Sequence, residues 1–326
     1  MDKRALGADG PKITVLGFGS WAVGGPYKFG WGPTDDDESI TAISHAVDSG
    51  INWIDTAAQY GLGHSEEIVG RAVTGMKVGE DVFLFTKCGG FFRPELGKVV
   101  YDLRPASIAQ ECEDSLRRLG LETIDLYQIH WPDNSTGTQI EDSWEAMNRL
   151  LDEGKVRWIG VSNFSTDLLD RCEALHHVSS AQPPLSLVKR AARNDVIPWC
   201  RDHGSGVLAY SPMASGLLTG KYDHAGFAKL PDDDWRRNSA AFQEPELSRI
   251  LDLVERMRPV ADGLGVTMPV LAVAWALAID GVTGAIVGAR TPKQVDGWIE
   301  AAGLTLDSST MDELERAVAD SGAGQG

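Results

Sequence analysis

The sequence alternates strand-like and helix-like segments along nearly its whole length, and this alternation constrains the fold more than any other feature. Amphipathic segments separate the strand-like runs, and one of them opens with Pro105, a residue favoured in the first helical turn. Several runs are almost continuously apolar, as expected for parallel strands that are buried on both faces. The eight predicted strands are residues 14–19, 51–55, 82–86, 124–130, 156–161, 179–182, 206–210 and 282–287. The pattern predicts an α/β protein in which residues 1–326 form a single (β/α)8 TIM barrel domain.

Two segments fall outside the eight strand–helix units. Residues 1–13 contain the turn-forming sequence Gly7-Ala8-Asp9-Gly10-Pro11, which predicts a small N-terminal hairpin. Residues 211–245 form a long connection after the seventh predicted strand, rich in Gly, Ser, Pro and charged residues. A connection of that length in a compact domain is typical of a functional loop.

Charge and cysteine content exclude several classes of function. The net charge of −17 argues against nucleic-acid partners and against binding to anionic membrane surfaces, so an anionic ligand needs a local basic patch. The four cysteines are widely spaced, with no C-x-x-C motif and no neighbouring histidine cluster, which predicts free thiols, no metal site and a reducing compartment. The N-terminus lacks an apolar signal-like segment, so we expect a cytoplasmic protein. The oligomeric state stays open.

Ionisable residues close three successive predicted strands. Asp55, Lys87 and His130 end the second, third and fourth strands, and Tyr60 follows Asp55 by five residues. A parallel barrel places the carboxyl ends of its strands around one face, where catalytic residues gather. A phenol beside an ammonium, a carboxylate and an imidazole forms a proton-donating site. The alternative interpretation is a buried ion pair, a loop aromatic and a core histidine.

Five ordered motifs carry a resemblance to a known family. Asp55-Thr56-Ala57 with Tyr60 and Gly63-His64-Ser65-Glu66 resembles the D-T-A-x-x-Y-G-x-G-x-S-E signature of the aldo-keto reductases. The other matches are Lys87, Leu126-Tyr127-Gln128-Ile129-His130-Trp131-Pro132, Gly160-Val161-Ser162-Asn163-Phe164 and Ala209-Tyr210-Ser211-Pro212. The resemblance implies an NADPH-dependent oxidoreductase that reduces aldehydes, ketones or 2-keto esters as small-molecule substrates.

By this resemblance, Asp55, Tyr60, Lys87 and His130 are the catalytic residues. Hydride delivery to a carbonyl builds an alkoxide that needs a proton and an aimed hydrogen-bond donor. Tyr60 is expected to give the proton, and His130 to orient the carbonyl oxygen. We expect the Lys87 ammonium to lower the pKa of Tyr60, and Asp55 to keep Lys87 charged.

The resemblance also implies the cofactor-binding residues. Ser162, Asn163 and Gln182 are expected to bind the nicotinamide carboxamide, and Tyr210 to stack on the ring. The predicted pyrophosphate contacts are Ser211, Pro212, Met213, Gly216 and Leu217, with Lys221 nearby. The loop after the eighth strand is expected to read the adenosine 2′-phosphate, because it opens a helix and carries an arginine; its predicted contacts are Gly288, Arg290, Thr291 and Gln294.

The chain departs from the family pattern at a few positions. Gly297 and Trp298 stand where the family usually has Glu and Asn against the adenine, and Leu185 replaces an aromatic. Trp298 either stacks on adenine or packs inside. The substrate pocket is expected to include Trp21 and Trp131, with Tyr27, Phe29, Trp31, Phe91 and Phe92 as further candidates, which suggests a moderately apolar substrate. Arg93 or Arg236 either meets a substrate carboxylate or is a solvated surface residue.

Two other functions stay open at this stage. One is a barrel lyase that uses Lys87 to form a Schiff base with its substrate. The other is an NADP-binding sensor subunit similar to the potassium-channel β subunits of the same superfamily, which also keep the four catalytic residues. The intact cofactor motifs argue against the lyase, and turnover of simple aldehydes distinguishes an enzyme from a sensor.

Overall fold

The structure is a computed structural model that describes residues 1–27, 30–93, 96–231 and 234–324. It opens with an antiparallel hairpin of β1 (Lys3–Ala5) and β2 (Lys12–Thr14), in which Lys3 pairs with Thr14. Leu6 and Ile13 from this hairpin region are buried against the barrel. The predicted N-terminal hairpin is confirmed.

Eight parallel strands then close into a barrel, with the last strand pairing with the first. They are β3 (Leu16–Gly19), β4 (Trp53–Asp55), β5 (Phe83–Cys88), β8 (Ile124–Ile129), β9 (Val156–Ser162), β10 (Ser180–Gln182), β11 (Gly206–Tyr210) and β12 (Gly284–Gly288). The predicted (β/α)8 barrel is confirmed, with strand ends shifted by one or two residues. Because β5 runs on to Cys88, Lys87 lies inside a strand instead of closing it.

Helices cover the outside of the barrel. They are α1 (Asp36–Asp48), α2 (His64–Ala72), α3 (Pro105–Leu119), α4 (Ile140–Asp152), α5 (Thr166–Glu173), α6 (Val196–His203), α7 (His224–Ala228), α8 (Glu246–Leu264), α9 (Met268–Leu277), α10 (Pro292–Asp296) and α11 (Ser308–Ser321). Pro105 occupies the first turn of α3, as predicted. Asp35 caps α1, where its carboxylate accepts a hydrogen bond from the Glu38 amide at 2.9 Å.

The strand-to-helix connections at the carboxyl end of the barrel carry two additions. A second antiparallel hairpin, β6 (Gly90–Arg93) and β7 (Lys98–Tyr101), follows β5 and was not predicted from the sequence. The long connection after β11 holds α7 and short 3-10 helices at Ala214–Thr219, Trp235–Asn238 and Ala240–Phe242. Both additions lie on the face where Asp55, Tyr60 and His130 were predicted.

Large apolar side chains fill the barrel interior. Trp53 and Phe85 are fully buried, with ring centroids 5.3 Å apart. Gly17 on β3 has to be glycine, because a β-carbon there would stand 2.2 Å from the Trp53 ring. Within the described ranges no single helix is long and apolar enough to span a membrane; only α8 and α9 together meet that criterion, and they are bent by 90°.

Candidate active site

The structure brings together the four ionisable residues named from the sequence. Lys87 Nζ donates hydrogen bonds to Asp55 Oδ1 at 2.5 Å, to the Thr56 carbonyl at 2.9 Å and to the Tyr60 hydroxyl at 3.4 Å. The rings of Tyr60 and His130 meet edge to face, with centroids 5.6 Å apart. Lys87 is 1% exposed, Asp55 2% and His130 8%, so this chemistry lies in a desolvated site.

Tyr60 owes its position to a tight turn after β4. Gly61 and Leu62 both have positive φ, at 60° and 58°. A β-carbon on Gly61 would stand 1.8 Å from the Gly24 carbonyl oxygen, in the loop after β3. The close backbone contact between these two loops therefore depends on glycine, and it fixes the segment that presents the phenol.

Burial dominates the proton affinities of the site. It raises the pKa of Tyr60 well above its ordinary value, and the Asp55 carboxylate adds to the rise. This is opposite to the lowering expected from the sequence, which considered the Lys87 ammonium and not desolvation. Burial also lowers the pKa of Lys87 against the opposing effect of Asp55, and lowers that of His130 well below its usual range. At neutral pH the phenol therefore holds its proton and the imidazole is neutral.

A network of buried hydroxyl groups contacts the backbone of Asp55 and the side chain of Thr56. Ser20 Oγ donates to the Asp55 carbonyl at 3.0 Å, and Ser65 Oγ lies 3.0 Å from Thr56 Oγ1 and donates to the Ser20 carbonyl at 2.9 Å. Thr56 is the residue whose carbonyl accepts from Lys87. Sequence reasoning named Ser65 only as part of a motif, because a hydroxyl pairing across loops leaves no periodic signal.

Glu66 continues this network with a buried charge. Its carboxylate accepts a hydrogen bond from Thr86 Oγ1 at 2.6 Å and forms an ion pair with Arg118 Nε at 2.6 Å. Thr86 is the residue before Lys87 on β5. Glu66 is fully buried, so its pairing with Arg118 meets the requirement that a buried charge have a partner.

One hydrogen-bonded group lies beside the four ionisable residues, and its members are Ser162, Asn163, Gln182 and Tyr210. Asn163 has a positive φ of 63°, and its amide nitrogen donates to Ser162 Oγ and to the His130 carbonyl, each at 3.0 Å. Its amide oxygen accepts from the Tyr210 hydroxyl at 2.7 Å. Gln182 donates to Asp55 Oδ2 at 2.9 Å, which joins this group directly to the ion pair.

The loop after β11 has a backbone conformation that L-residues rarely adopt. Ser211, Ala214 and Ser215 have φ values of 56°, 49° and 55°, and Gly216 follows at 97°. Successive residues of this kind can turn backbone N–H groups toward one concavity. Of the other predicted contacts here, Met213 is half-buried, Pro212 and Leu217 are buried, and Lys221 is exposed, with its ammonium 5.6 Å from the Tyr222 ring centroid.

Arg290 lies in the loop between Gly288 and α10. Thr291 caps that helix by accepting a hydrogen bond from the Gln294 amide at 3.2 Å, and the Gln294 side chain accepts from the Arg290 amide at 2.7 Å. The guanidinium donates to the Trp31 carbonyl at 3.2 Å. Among the residues that the structure describes, no carboxylate pairs with Arg290.

The three departures from the family pattern are structural. Trp298 is 2% exposed and packs in the core, which excludes the stacking role considered for it. The Gly297 carbonyl accepts a hydrogen bond from Thr267 at 3.2 Å. Leu185 is fully buried, so an aromatic is replaced there by a core residue.

Of the aromatic residues predicted for the substrate pocket, Trp21 contacts Tyr60. Trp21 lies 6.3 Å from the Tyr60 ring, between centroids, and contacts Trp31 and Trp235. Trp131 is 39% exposed and lies 5.9 Å from Tyr101 on β7. Tyr27 lies in the loop after β3, Phe91 and Phe92 are half-buried on β6, and Phe29 falls outside the described residues.

The sequence missed Trp235 and Tyr101. One lies in an aperiodic loop and the other in the unpredicted hairpin. Arg236 is neither a solvated arginine nor free for a substrate, because it is 8% exposed and paired with Asp234 at 2.7 Å. Arg93 is exposed, with its guanidinium 5.6 Å from the Phe91 ring centroid.

The described residues show neither a disulfide nor a metal-binding cluster. All four cysteines are unpaired and buried. In the described ranges, no group of three or more His, Cys, Asp or Glu side chains is arranged to hold a metal ion.

Comparison with known proteins gives one consistent family. The Aldo/keto reductase family model matches residues 15–319. Aldo-keto reductase YhdN of Bacillus subtilis is 36% identical over 315 residues, covering 96% of this chain and 92% of that protein. An NADH-specific methylglyoxal reductase of Escherichia coli is 33% identical over 330 residues, covering 98% and 99%. The structure of a glycerol dehydrogenase from Gluconobacter oxydans superposes with a TM-score of 0.87 at 39% identity, covering 98% and 95% of the two chains.

Proposed function

The chain belongs to the aldo/keto reductase family, and on that premise we propose that it reduces aldehydes and ketones to alcohols with NADPH, using Tyr60 as general acid. Members of the family are oxidoreductases that act on carbonyl and alcohol groups with a nicotinamide cofactor. The observation that carries the proposal is the buried contact of Lys87 with both Asp55 and Tyr60, beside His130.

Tyr60 has the protonation state that carbonyl reduction requires. Its raised pKa keeps the phenol protonated at neutral pH, where it can donate a proton to the alkoxide that forms on the substrate. Lys87 donates toward the same hydroxyl, so it can stabilise the phenolate left after proton transfer. Asp55 and the Thr56 carbonyl hold the ammonium in that direction.

His130 contributes a second donor to the substrate oxygen. Burial keeps its imidazole neutral, and a neutral imidazole has one N–H to donate and no net charge to disturb the proton on Tyr60. Two donors aimed at one oxygen favour a species in which negative charge develops there. In the reverse direction, the deprotonated form of Tyr60 would accept the proton of an alcohol, and His130 would orient the alcohol oxygen.

The residues beside this site suit a nicotinamide cofactor, which supplies the hydride when bound. Among the described residues, Tyr210 alone donates to the Asn163 amide oxygen, so a second lone pair remains for a carboxamide N–H. Tyr210 is fixed by that bond and can present its ring to the nicotinamide. Ser162, Gln182, Gly216 and Gly288 complete the proposed contacts along the groove, together with Ser211, Pro212, Met213, Leu217 and Lys221.

The preference for NADPH over NADH is carried by Arg290, with Thr291 and Gln294 shaping its loop. The chain has a net charge of −17, so a 2′-phosphate needs a local cation that other carboxylates do not already neutralise. Arg290 meets this condition within the described ranges. The name of the E. coli relative describes it as NADH-specific, so the assays compare both reduced cofactors.

The substrate is proposed to be a small carbonyl compound, with 2-keto esters among the candidates. The names of the relatives point the same way, since one is a methylglyoxal reductase and another a glycerol dehydrogenase. The aromatic residues around Tyr60, including Trp21 and Trp131, supply the pocket walls. We propose that the protein acts in the cytoplasm, without nucleic-acid or membrane partners.

The surroundings of Lys87 weigh against the lyase alternative. Its side chain is fully buried and bonded to Asp55, Thr56 and Tyr60, so its nitrogen is held by hydrogen bonds instead of being presented to a carbonyl carbon. No observation favours the sensor subunit over the enzyme.

Turnover assays test the proposal directly. The purified protein is mixed with NADPH or NADH and a panel containing methylglyoxal, glyceraldehyde, propanal and a 2-keto ester, and loss of the reduced-nicotinamide absorbance is followed. We expect reduction of at least one small aldehyde, faster with NADPH. Cofactor binding without turnover of any carbonyl or matching alcohol would support the sensor subunit and overturn the reductase.

A further inference from the structure

Three tryptophan rings pack against one another, and one of them contacts Tyr60. The ring centroids of Trp21 and Trp31 are 5.3 Å apart, those of Trp21 and Trp235 are 5.2 Å apart, and those of Trp31 and Trp235 are 5.7 Å apart. Trp21 also lies 6.3 Å from the Tyr60 ring. We call Trp21, Trp31 and Trp235 the indole cap. Each ring contacts both others, so the three form one packed cluster that reaches Tyr60 through Trp21.

Hydrogen bonds between the two neighbours of Trp235 support one side of the cap. The Asp234 carboxylate accepts hydrogen bonds from the Arg236 amide at 3.0 Å and from Arg236 Nη2 at 2.7 Å. These bonds join the two residues on either side of Trp235. The same guanidinium lies 4.9 Å from the Trp31 ring centroid. Arg236 is 8% exposed, so this clamp is buried. Trp235 is therefore flanked by a hydrogen-bonded ion pair in the long loop after β11.

The cap is also anchored on its other side. Arg290, in the loop after β12, donates to the Trp31 carbonyl at 3.2 Å. Trp21 and Trp31 come from the loop after β3, and Trp235 from the loop after β11. Three loops from different parts of the chain thus converge on these rings.

The packing of the cap has a cost in hydrogen bonding. The indole nitrogens of Trp31 and Trp235 are buried and, in the part of the chain that the structure describes, have no hydrogen-bond partner. A buried N–H without a partner destabilises a protein, and buried tryptophans usually satisfy theirs. The core tryptophans Trp275 and Trp298 also have unpartnered indole nitrogens, so what distinguishes the cap is its position beside the proton donor.

We propose that the indole cap restricts the substrate to short-chain carbonyl compounds and that Trp235 sets the size limit. The inference rests on the proposed reduction at Tyr60. A substituent as large as a benzene ring next to the reacting carbonyl would have to occupy the space of the cap. The clamp between Asp234 and Arg236 opposes its displacement, so bulky aldehydes are excluded by a fixed wall.

The test compares the kcat/KM for benzaldehyde with that for propanal. We expect the wild type to favour propanal, and Trp235→Ala to raise the ratio for benzaldehyde over propanal by about 10-fold or more, as expected when a steric wall is removed. Trp235→Phe, which keeps a ring, should give an intermediate ratio. The control is Trp158→Ala, because Trp158 packs on Phe83 away from the cap and its substitution should leave the ratio unchanged.

A binding measurement separates this proposal from the proposed function. Benzamide is an unreactive carbonyl compound with one ring, and its affinity for the NADP⁺-loaded protein is measured by calorimetry. We expect it to bind about 10-fold more tightly to Trp235→Ala than to wild type or Trp158→Ala. Melting temperatures and NADPH titrations confirm that each variant is folded.

The outcomes are distinct. If the wild type reduces neither aldehyde nor the panel above, the proposed reductase function is wrong, and benzamide binding still tests the cap. If benzamide affinity in Trp235→Ala equals that of the wild type, or the aldehyde ratio is unchanged in a folded variant, Trp235 does not set the size limit.

Discussion

Substitution of Arg290 by alanine tests how a strongly acidic protein binds a doubly charged phosphate. The Arg290 guanidinium donates one hydrogen bond to the Trp31 carbonyl, and within the described ranges it pairs with no carboxylate. Most of the N–H donors of its guanidinium therefore remain for a ligand. We expect Arg290→Ala to weaken NADPH binding and to leave NADH binding nearly unchanged.

The magnitude follows from the type of bond that is lost. A hydrogen bond to a charged group is worth about 1.5–3 kcal/mol, and the half-buried position of Arg290 reduces solvent screening. This corresponds to a loss of about 10- to 150-fold in NADPH affinity. The loss should shrink as ionic strength rises, because salt screens the interaction.

The assay is a fluorescence titration of both reduced cofactors against wild type and Arg290→Ala. Lys77→Ala is the matched control, since it removes the same unit of charge before β5, at the opposite end of the barrel from the Arg290 loop. A general effect of net charge would weaken NADPH equally in both variants. An unchanged ratio of NADPH to NADH affinity in Arg290→Ala would refute the assignment of the phosphate to this residue.

Three further predictions concern the site itself. Tyr60→Phe should keep NADPH affinity and lose about 10²- to 10⁴-fold in kcat, measured by steady-state reduction of propanal, whereas a wild-type kcat would exclude Tyr60 as the acid. Lys87→Met leaves the Asp55 carboxylate buried without its lysine partner, and it should lower the free energy of unfolding, measured in urea, by about 3–5 kcal/mol. The double variant Lys87→Met/Asp55→Leu should recover much of that loss of stability without restoring activity. Ser65→Ala removes a fully buried hydroxyl that contacts Thr56 and Ser20, and it should lower the free energy of unfolding by about 1–3 kcal/mol. A melting curve that matches wild type would mean that the hydroxyl network does not stabilise the fold.

The barrel and the four-residue site could be read from the sequence for the same physical reason. Strands buried on both faces are nearly continuous apolar runs, so polar residues at their ends stand out. Asp55 and His130 interrupt or follow such runs, and the eight runs were recovered with small errors at their ends. Parallel closure then places these ends on one face, whatever the details of the loops.

The remaining features depend on contacts between distant loops. The hairpin β6–β7 is too short for a clear alternating pattern, and Trp235 lies in a loop without periodicity. The pKa of Tyr60 was expected to fall because Lys87 is adjacent in the motif, but burial by the assembled loops outweighs that effect. Trp298 could stack or pack from sequence alone, and only its complete enclosure distinguishes the two.

The Asp55–Lys87 pair explains why this face of the barrel is better understood as a site than as part of the core. Taking two charges out of water costs more than a well-packed apolar pair would, so the pair is weak evidence for stability. Its hydrogen bonds extend outward to Tyr60 on one side and to Gln182 on the other, and these are the two directions in which the proposed substrate and cofactor lie. These two hydrogen bonds also satisfy polar atoms of the buried pair, but a well-packed apolar pair in the same place would need neither of them. The arrangement therefore orients a proton donor at some loss of stability, as expected at a catalytic centre.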